Sequence, residues 1–252
     1  MLLAIDTSTR YISLALHDGR QVLAESTWQT AERHTLELAP RVAGILSLGG
    51  VTSASELTGL AVALGPGTFT GLRAGLALAK GLALAGPVPL LGVPSLDVSA
   101  AAQPRLTGDK ARLVAVLSAG RGRLFAAVYR WRAGKGSGRD DEAPPLGERW
   151  ECVTAPHVVT WDELVAGVEG EPLVFCGEID AAGALAVKKL GRRARVVPAA
   201  QSLRRAGYLA ELALERLARG ESDNPATLVP LYLHEPGSGP AAAPAESPRQ
   251  GA

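Results

Sequence analysis

With 252 residues the chain is long enough for one large domain or two small ones, and at 47% hydrophobic composition it can bury a full core. Its charge is balanced, 26 Lys and Arg against 25 Asp and Glu for a formal +1, which argues against a free-standing nucleic-acid binder. Two cysteines, Cys152 and Cys176, make no disulfide framework; the opening residues lack a basic n-region, and the apolar run Leu76 to Leu84 is short and carries Lys80, so a cytoplasmic protein outside the membrane is expected.

Leu2 to Asp6, Tyr11 to His17 and Gln21 to Ser26 read as three strands, with Asp18-Gly19 as a hairpin signal between the second and third. Glu32 to Leu48 is helical by period, with Leu38, Val42 and Ile45 on one face and Pro40 inside, where it removes a hydrogen bond. Gly59 to Leu64 reads as a buried strand, and Gly65-Pro66-Gly67 as a turn into a helix that runs to about Ala85. Thr68 or Thr70 can cap that helix through a side-chain oxygen. Gly71, Gly75, Ala79 and Ala83 recur every four residues along it and make one smooth stripe. Glycine inside a helix costs roughly 1 kcal/mol against alanine, so the stripe implies close approach to another backbone. The turn itself has two readings, a tight strand-to-helix connection or an anion site at a helix start, and no Lys-Ser/Thr follows it as in a P-loop.

Leu90 to Val93 is a strand, and Ser95 starts another helix. The plan then repeats. Leu113 to Ser118 and Leu124 to Arg130 are strands joined at Gly120-Arg121-Gly122, Ala133 to Gly147 is a Gly-, Pro- and charge-rich loop, and Trp150 to Thr154 makes a third strand. Thr160 and Glu163 fit a capping box opening a helix to about Val168. Leu173 to Cys176, Ile179 to Leu190 and Arg195 to Val197 read as strand, helix and strand, and Ser202 to Arg219 as one amphipathic helix. Pro236 to Ala252 has a linker composition and should be a disordered tail.

Gly65-Pro66-Gly67-Thr68-Phe69-Thr70-Gly71-Leu72-Arg73 resembles the signature of the TsaB family, the dimerisation subunit of the bacterial machinery that makes threonylcarbamoyladenosine in tRNA. Ala4-Ile5-Asp6-Thr7-Ser8-Thr9, Arg33-His34-Thr35 with Leu38 and Pro40, and Pro230-Leu231-Tyr232-Leu233 also match, so the resemblance spans roughly residues 1 to 235 and is densest before Asp97. Pattern and resemblance together imply an α/β, two-lobed fold of the actin, sugar-kinase and chaperone-ATPase type with duplicated mixed-sheet lobes. The expected division is an N-terminal lobe at 1–106, a smaller lobe at 107–200, a helix and segment at 201–235 packing back on the first lobe, and the tail at 236–252.

By the same resemblance the chain is a non-catalytic relative of the transferase TsaD. It would pair with TsaD as a heterodimer, join the TsaE ATPase in a larger assembly, meet tRNA only through that complex, and form a homodimer when alone. Asp6 stands where actin-like ATPases hold magnesium, but Ser8 replaces the glycine that lets the backbone approach phosphate, and no carboxylate stands in Ser118-Ala119-Gly120. Asp6, Thr7, Ser8 and Thr9 are therefore read as a vestigial phosphate loop in which the Asp6 and Thr9 side chains bond turn N–H groups. TsaD carries two histidines four residues apart, a spacing that places two imidazoles on one helix face for a metal; the corresponding positions here are Ser95 and Ser99. No catalytic residue, metal site or cofactor is expected.

The four histidines, His17, His34, His157 and His234, show no i,i+4 pair, and Cys152 and Cys176 read as packing residues in strands. Lys188, Lys189, Arg192, Arg193 and Arg195 form the one basic cluster, suited either to a helix C-terminus or to a tRNA backbone. The partner interface is expected at His34, Leu38 and Val42 of the first helix and Gly71, Arg73, Gly75, Leu78 and Ala79 of the second. The rival to a partner subunit is an enzyme of the same fold, a divergent ATPase, kinase or metallopeptidase.

Overall fold

The computed structural model describes residues 1–30, 34–106, 108, 110–132 and 149–233. In the first lobe the chain runs β1 (Leu2–Asp6), β2 (Tyr11–His17), β3 (Val22–Gln29), α1 (His34–Leu48), β4 (Gly59–Gly65), α2 (Phe69–Ala85), β5 (Leu90–Pro94) and α3 (Ser95–Ala101). In the second it runs β6 (Arg112–Gly120), β7 (Arg123–Arg132), β8 (Arg149–Val159), α4 (Trp161–Gly167), β9 (Leu173–Gly177), α5 (Ala181–Lys189) and β10 (Ala194–Val196). The short α6 (Ala199–Ser202) and α7 (Ala206–Ala218) follow.

The two sheets have the same wiring. The first is ordered β3-β2-β1-β4-β5 and the second β8-β7-β6-β9-β10. In each, a leading three-strand antiparallel meander is extended by two parallel strands. This is the duplicated, two-lobed α/β plan that the sequence implies.

Period-two alternation decides what each face of β1 touches. Leu3 and Ile5 join Leu60 and Val62 in a core under α1 and α2, built with Leu38, Val42, Ile45, Leu76 and Ala79. Leu2 and Ala4 face the other way, with Ala15, Ala61 and Ala63, and receive Ala206, Leu209, Ala210 and Ala213 of α7. Alanines on both surfaces let helix and sheet approach closely. Between the lobes lies α3, whose Leu96 and Ala100 pack among Leu113, Leu117, Tyr129 and Trp150 of the second sheet. Tyr129 donates its hydroxyl to Asp97 Oδ1 at 2.7 Å, and Trp150 Nε1 donates to the Gln103 carbonyl at 3.0 Å.

The Thr160 capping box forms as expected, with Glu163 Oε2 accepting from Thr160 N at 2.7 Å. Other expectations are corrected. Thr68 is the N-cap of α2, yet its side chain makes no cap bond. The helix expected over Ser202 to Arg219 is broken: Leu203 and Arg205 are extended, and α7 starts only at Ala206. The break turns Arg204 into the interior, for a reason visible at the site. Cys152, expected inside, is exposed, while Cys176 is buried. The loop Ala133 to Gly147 and the tail from Pro236 lie outside the described residues.

Candidate functional site

The first turn, at the end of β1, is the candidate site. Asp6, Thr7, Ser8 and Thr9 are all buried, because β1 is the central strand and its end is enclosed by the starts of α2 and α3 and by the approach to α7. Each side-chain oxygen of the turn has a hydrogen-bond partner. Asp6 Oδ1 accepts from the Ser8 N–H at 2.9 Å, and Thr9 Oγ1 accepts from Tyr11 N at 3.3 Å, the turn bonds expected from the sequence. Asp6 Oδ2 accepts from Arg204 Nε at 2.7 Å, and Arg204 Nη2 reaches Thr9 Oγ1 at 3.0 Å. The Asp6 side chain is 0% exposed and that of Arg204 is 4% exposed, so acid and guanidinium are paired out of water. Isolated, either charge would be very costly to bury.

The neighbouring loop closes the same space. Ser8 Oγ lies 2.5 Å from Ser95 Oγ, and Ser95 Oγ accepts from Gly65 N at 3.0 Å. The Thr68 N–H donates to the Ser8 carbonyl at 2.6 Å. Gly67 lies so close on that carbonyl that a Cβ there would overlap it. Gly65 adopts φ +108, where a side chain is strained. So Gly65-Pro66-Gly67 is a tight connection pressed against the first turn. Its N–H groups at Gly65 and Thr68 are taken by Ser95 and Ser8, which supports the turn reading.

The positions expected to have lost a metal are interior. Ser95 bonds as above, and Ser99 Oγ donates to the Ser95 carbonyl at 3.3 Å. Among the described residues no group of three or more His, Cys, Asp and Glu side chains is placed to hold a metal ion. His17 Nδ1 accepts from Gly19 N at 2.9 Å in the hairpin. Burial pushes the Cys176 thiol up to about 12, so it is a packing residue and not a thiolate. One carboxylate escaped the sequence reading: Glu178, just after β9, accepts the Ser118 N–H through Oε2 at 3.1 Å. It comes from a different strand end, so spacing along the Ser118-Ala119-Gly120 loop gave no signal for it.

The small-residue stripe of α2 faces inward. Gly71, Gly75 and Ala79 are buried, Thr7 Oγ1 donates to the Gly71 carbonyl at 2.7 Å, and a Cβ on Gly75 would collide with Thr7 Oγ1. Leu38 and Val42 belong to the core between α1 and the sheet. The stripe's close approach is thus to the chain's own first turn, and Leu38, Val42, Gly71, Gly75 and Ala79 are interior in this chain. Leu78 is half-buried against the same core. His34 opens α1, and its side chain lies outside the described residues.

Arg73 does face outward. Its guanidinium stands over the Phe69 ring at 3.6 Å, and its Nε donates to Tyr232 Oη at 3.0 Å. The Phe69 and Tyr232 rings stack at 5.6 Å. On the outer surfaces of the packed α1 and α2 stand Leu36, Leu48 and Leu84, at 72%, 80% and 75% exposure. Gly44 and Gly81 have open space where a Cβ would sit. No helix among the described residues is long and apolar enough to cross a membrane.

Comparison with known proteins gives these features a setting. The family model described as TsaD, tRNA N6-adenosine threonylcarbamoyltransferase, matches residues 21–238. The tRNA threonylcarbamoyladenosine biosynthesis protein TsaB of Escherichia coli (strain K12) is 36% identical over 158 residues, which cover 63% of this chain and 64% of that protein. Its namesake in Bacillus subtilis (strain 168) is 32% identical over 133 residues, covering 53% and 56%. The chain therefore matches less than two thirds of the length of either. The solved structure of YeaZ from Pseudomonas aeruginosa superposes with a TM-score of 0.72 at 27% identity, over 92% of this chain and 99% of that one. A second, described as an uncharacterized protein with similarity to peptidase YEAZ from the same organism, gives 0.70 with the same identity and coverage. With nearly its whole described length matched, the chain belongs to the TsaD family of threonylcarbamoyladenosine proteins, on the TsaB side of it.

Proposed function

We propose that this chain is a non-catalytic, cytoplasmic partner subunit that binds and activates a TsaD-type threonylcarbamoyltransferase, which modifies adenosine next to the tRNA anticodon. The observation that carries this reading is the Arg204–Asp6 pair. A nucleotide-hydrolysing relative needs a free carboxylate for its metal and open backbone N–H groups for phosphate. Here the carboxylate is neutralised by a buried arginine, the Ser8 N–H is held by Asp6, and Gly67 lies on the Ser8 carbonyl. The rival reading as an ATPase, kinase or metallopeptidase draws no support from this turn.

The partner surface in this reading is the outer side of α1 and α2. Three nearly bare leucines and two glycines with open space above them suit a second pair of helices. The same face would serve a homodimer when TsaD is absent, and TsaE would join the larger assembly. A Gly81→Arg, Leu84→Glu variant tests this. It adds bulk and charge only where space is open, so it should keep its melting temperature. It should fail to co-purify the transferase and fail to support tRNA modification in cells. Normal co-purification by the folded variant would place the interface elsewhere.

A further inference from the structure

We infer that the corner of the second lobe built by the end of α5, the 3-10 turn Gly191–Arg193 and β10 docks on the phosphate backbone of RNA, an inference that rests on the tRNA-modification reading above. Lys188, Lys189, Arg192, Arg193 and Arg195 fall within eight residues, and no Asp or Glu occurs from Ala181 to Ala210. The whole chain carries only +1, so these five charges leave the remainder net negative. Arg193 is half-buried and the other four are exposed. Lys189 has one weak neighbour, Asp162 Oδ1 at 3.6 Å, with both side chains mostly in water. Among the described residues Lys188, Arg192, Arg193 and Arg195 make no ion pair.

Structural roles account for part of this charge only. Two lysines in the last turn of α5 offset its dipole, and the helix end is already closed by Leu190 N–H bonds to Val187 and Lys188 carbonyls. Arg195 can guard the outermost strand, β10, against edge-to-edge pairing. Arg192 and Arg193 serve neither purpose, and like charges packed at this density repel one another. A row of phosphates relieves that repulsion, and three of the five cations are arginines, whose planar fork matches phosphate oxygens. The stretch 181–205 contains no aromatic side chain on which a base could stack. The corner thus holds the backbone and reads no bases, leaving choice of the tRNA to the transferase. It belongs to the second sheet, whereas α1 and α2 pack on the first, so the two surfaces share no residues.

The test uses the full chain, alone and with its co-purified transferase. Anisotropy of a labelled, unmodified tRNA transcript is followed against potassium chloride. The variant is Lys188→Gln, Arg192→Gln, Arg195→Gln, with Arg192→Lys, Arg195→Lys as a charge-keeping control. The glutamine variant should lose at least about tenfold in affinity at low salt, and its slope of log K against log salt should become shallower by roughly 2–3. The lysine control should keep the slope, and both should keep their melting temperature and their transferase. Unchanged affinity and slope in the glutamine variant overturn the proposal. So does a corner that binds polyglutamate and not tRNA, which would make the partner an acidic protein. If neither variant nor parent co-purifies a transferase, the subunit reading fails, and the titration of the chain alone still decides the corner.

Discussion

Arg204 donates to Asp6 across 198 residues of sequence, tying the approach to α7 onto the end of β1. The contact explains why the expected long helix breaks at Leu203–Arg205: a guanidinium that must reach Asp6 and Thr9 cannot stay on a continuous helix surface. Removing one member leaves the other charge buried and unpaired, which typically costs about 3–5 kcal/mol. Arg204→Met should therefore lower the denaturant midpoint sharply. Asp6→Asn with Arg204→Met should recover much of the loss, since asparagine can still accept the Ser8 N–H. A double variant no more stable than Arg204→Met alone would show that the pair is not what the site is built around.

The same pair bears on catalysis. The purified chain should hydrolyse ATP no faster than background, and Asp6→Ala should leave that background unchanged. Phosphate release that exceeds background and vanishes both in Asp6→Ala and in the paired Asp6→Asn, Arg204→Met variant would mean that Arg204 moves aside and the turn works as a phosphate loop.

Gly75 makes a contrasting case to Gly81. Both lie on α2, but a side chain at Gly75 would enter the space of Thr7, which is itself fixed to the Gly71 carbonyl, whereas at Gly81 nothing stands within 4 Å. Overpacking at a rigid site typically costs about 1–3 kcal/mol. Gly75→Leu should destabilise the isolated chain despite leucine's better helix propensity, while Gly81→Leu should leave the melting temperature unchanged or raise it. Equal thermal stability in the two variants would contradict the inward placement of the stripe.

These examples show what the sequence could carry. Strand alternation, the Thr160 box and the duplicated order of elements are local or periodic signals, and they were legible. The small-residue stripe was legible as a close approach, but four-residue spacing names the helix face and not what lies across from it. Gly75 meets Thr7 because β1 ends beneath α2, a tertiary fact. Arg204 and Glu178 were missed for a related reason. Each pairs with a group far along the chain, and one arginine among several beside an amphipathic run carries no mark of being buried.

The segment after α7 should clasp the first lobe. Leu231 N donates to the Leu64 carbonyl at 2.7 Å, and Tyr232 stacks on Phe69 while its hydroxyl accepts from Arg73. Aromatic pairs add about 0.5–1.5 kcal/mol beyond burial. A chain ending at Leu233 retains all these contacts and should match the full-length melting temperature. A chain ending at Thr227 should melt lower. If both truncations behave alike, the clasp contributes nothing to the fold.

A second clasp, at Asp223, should be read by acid. Asp223 lies just past α7 and closes the edge of β5: its N–H donates to the Leu90 carbonyl at 2.7 Å, and Oδ2 accepts from Gly92 N at 2.7 Å. Arg216 completes the arrangement, with Nη2 to Asp223 Oδ1 at 3.1 Å and Nη1 to the Gly92 carbonyl at 2.8 Å. Partial burial acts to raise the carboxyl's pKa, but the bonds from Arg216 and from the Gly92 N–H outweigh it, and the group is held below its ordinary 3.8. A carboxyl lowered in the folded state binds its proton more readily when unfolded. Its contribution is therefore present above the ordinary value and is lost as pH falls through the folded one. Asp223→Asn keeps an acceptor for the Gly92 N–H but loses the charge facing Arg216. The gap in melting temperature between the parent and this variant should be widest near about pH 6 and should close as pH falls below about 4. A gap that stays constant across that range would show that the carboxylate's charge does not hold the edge of β5.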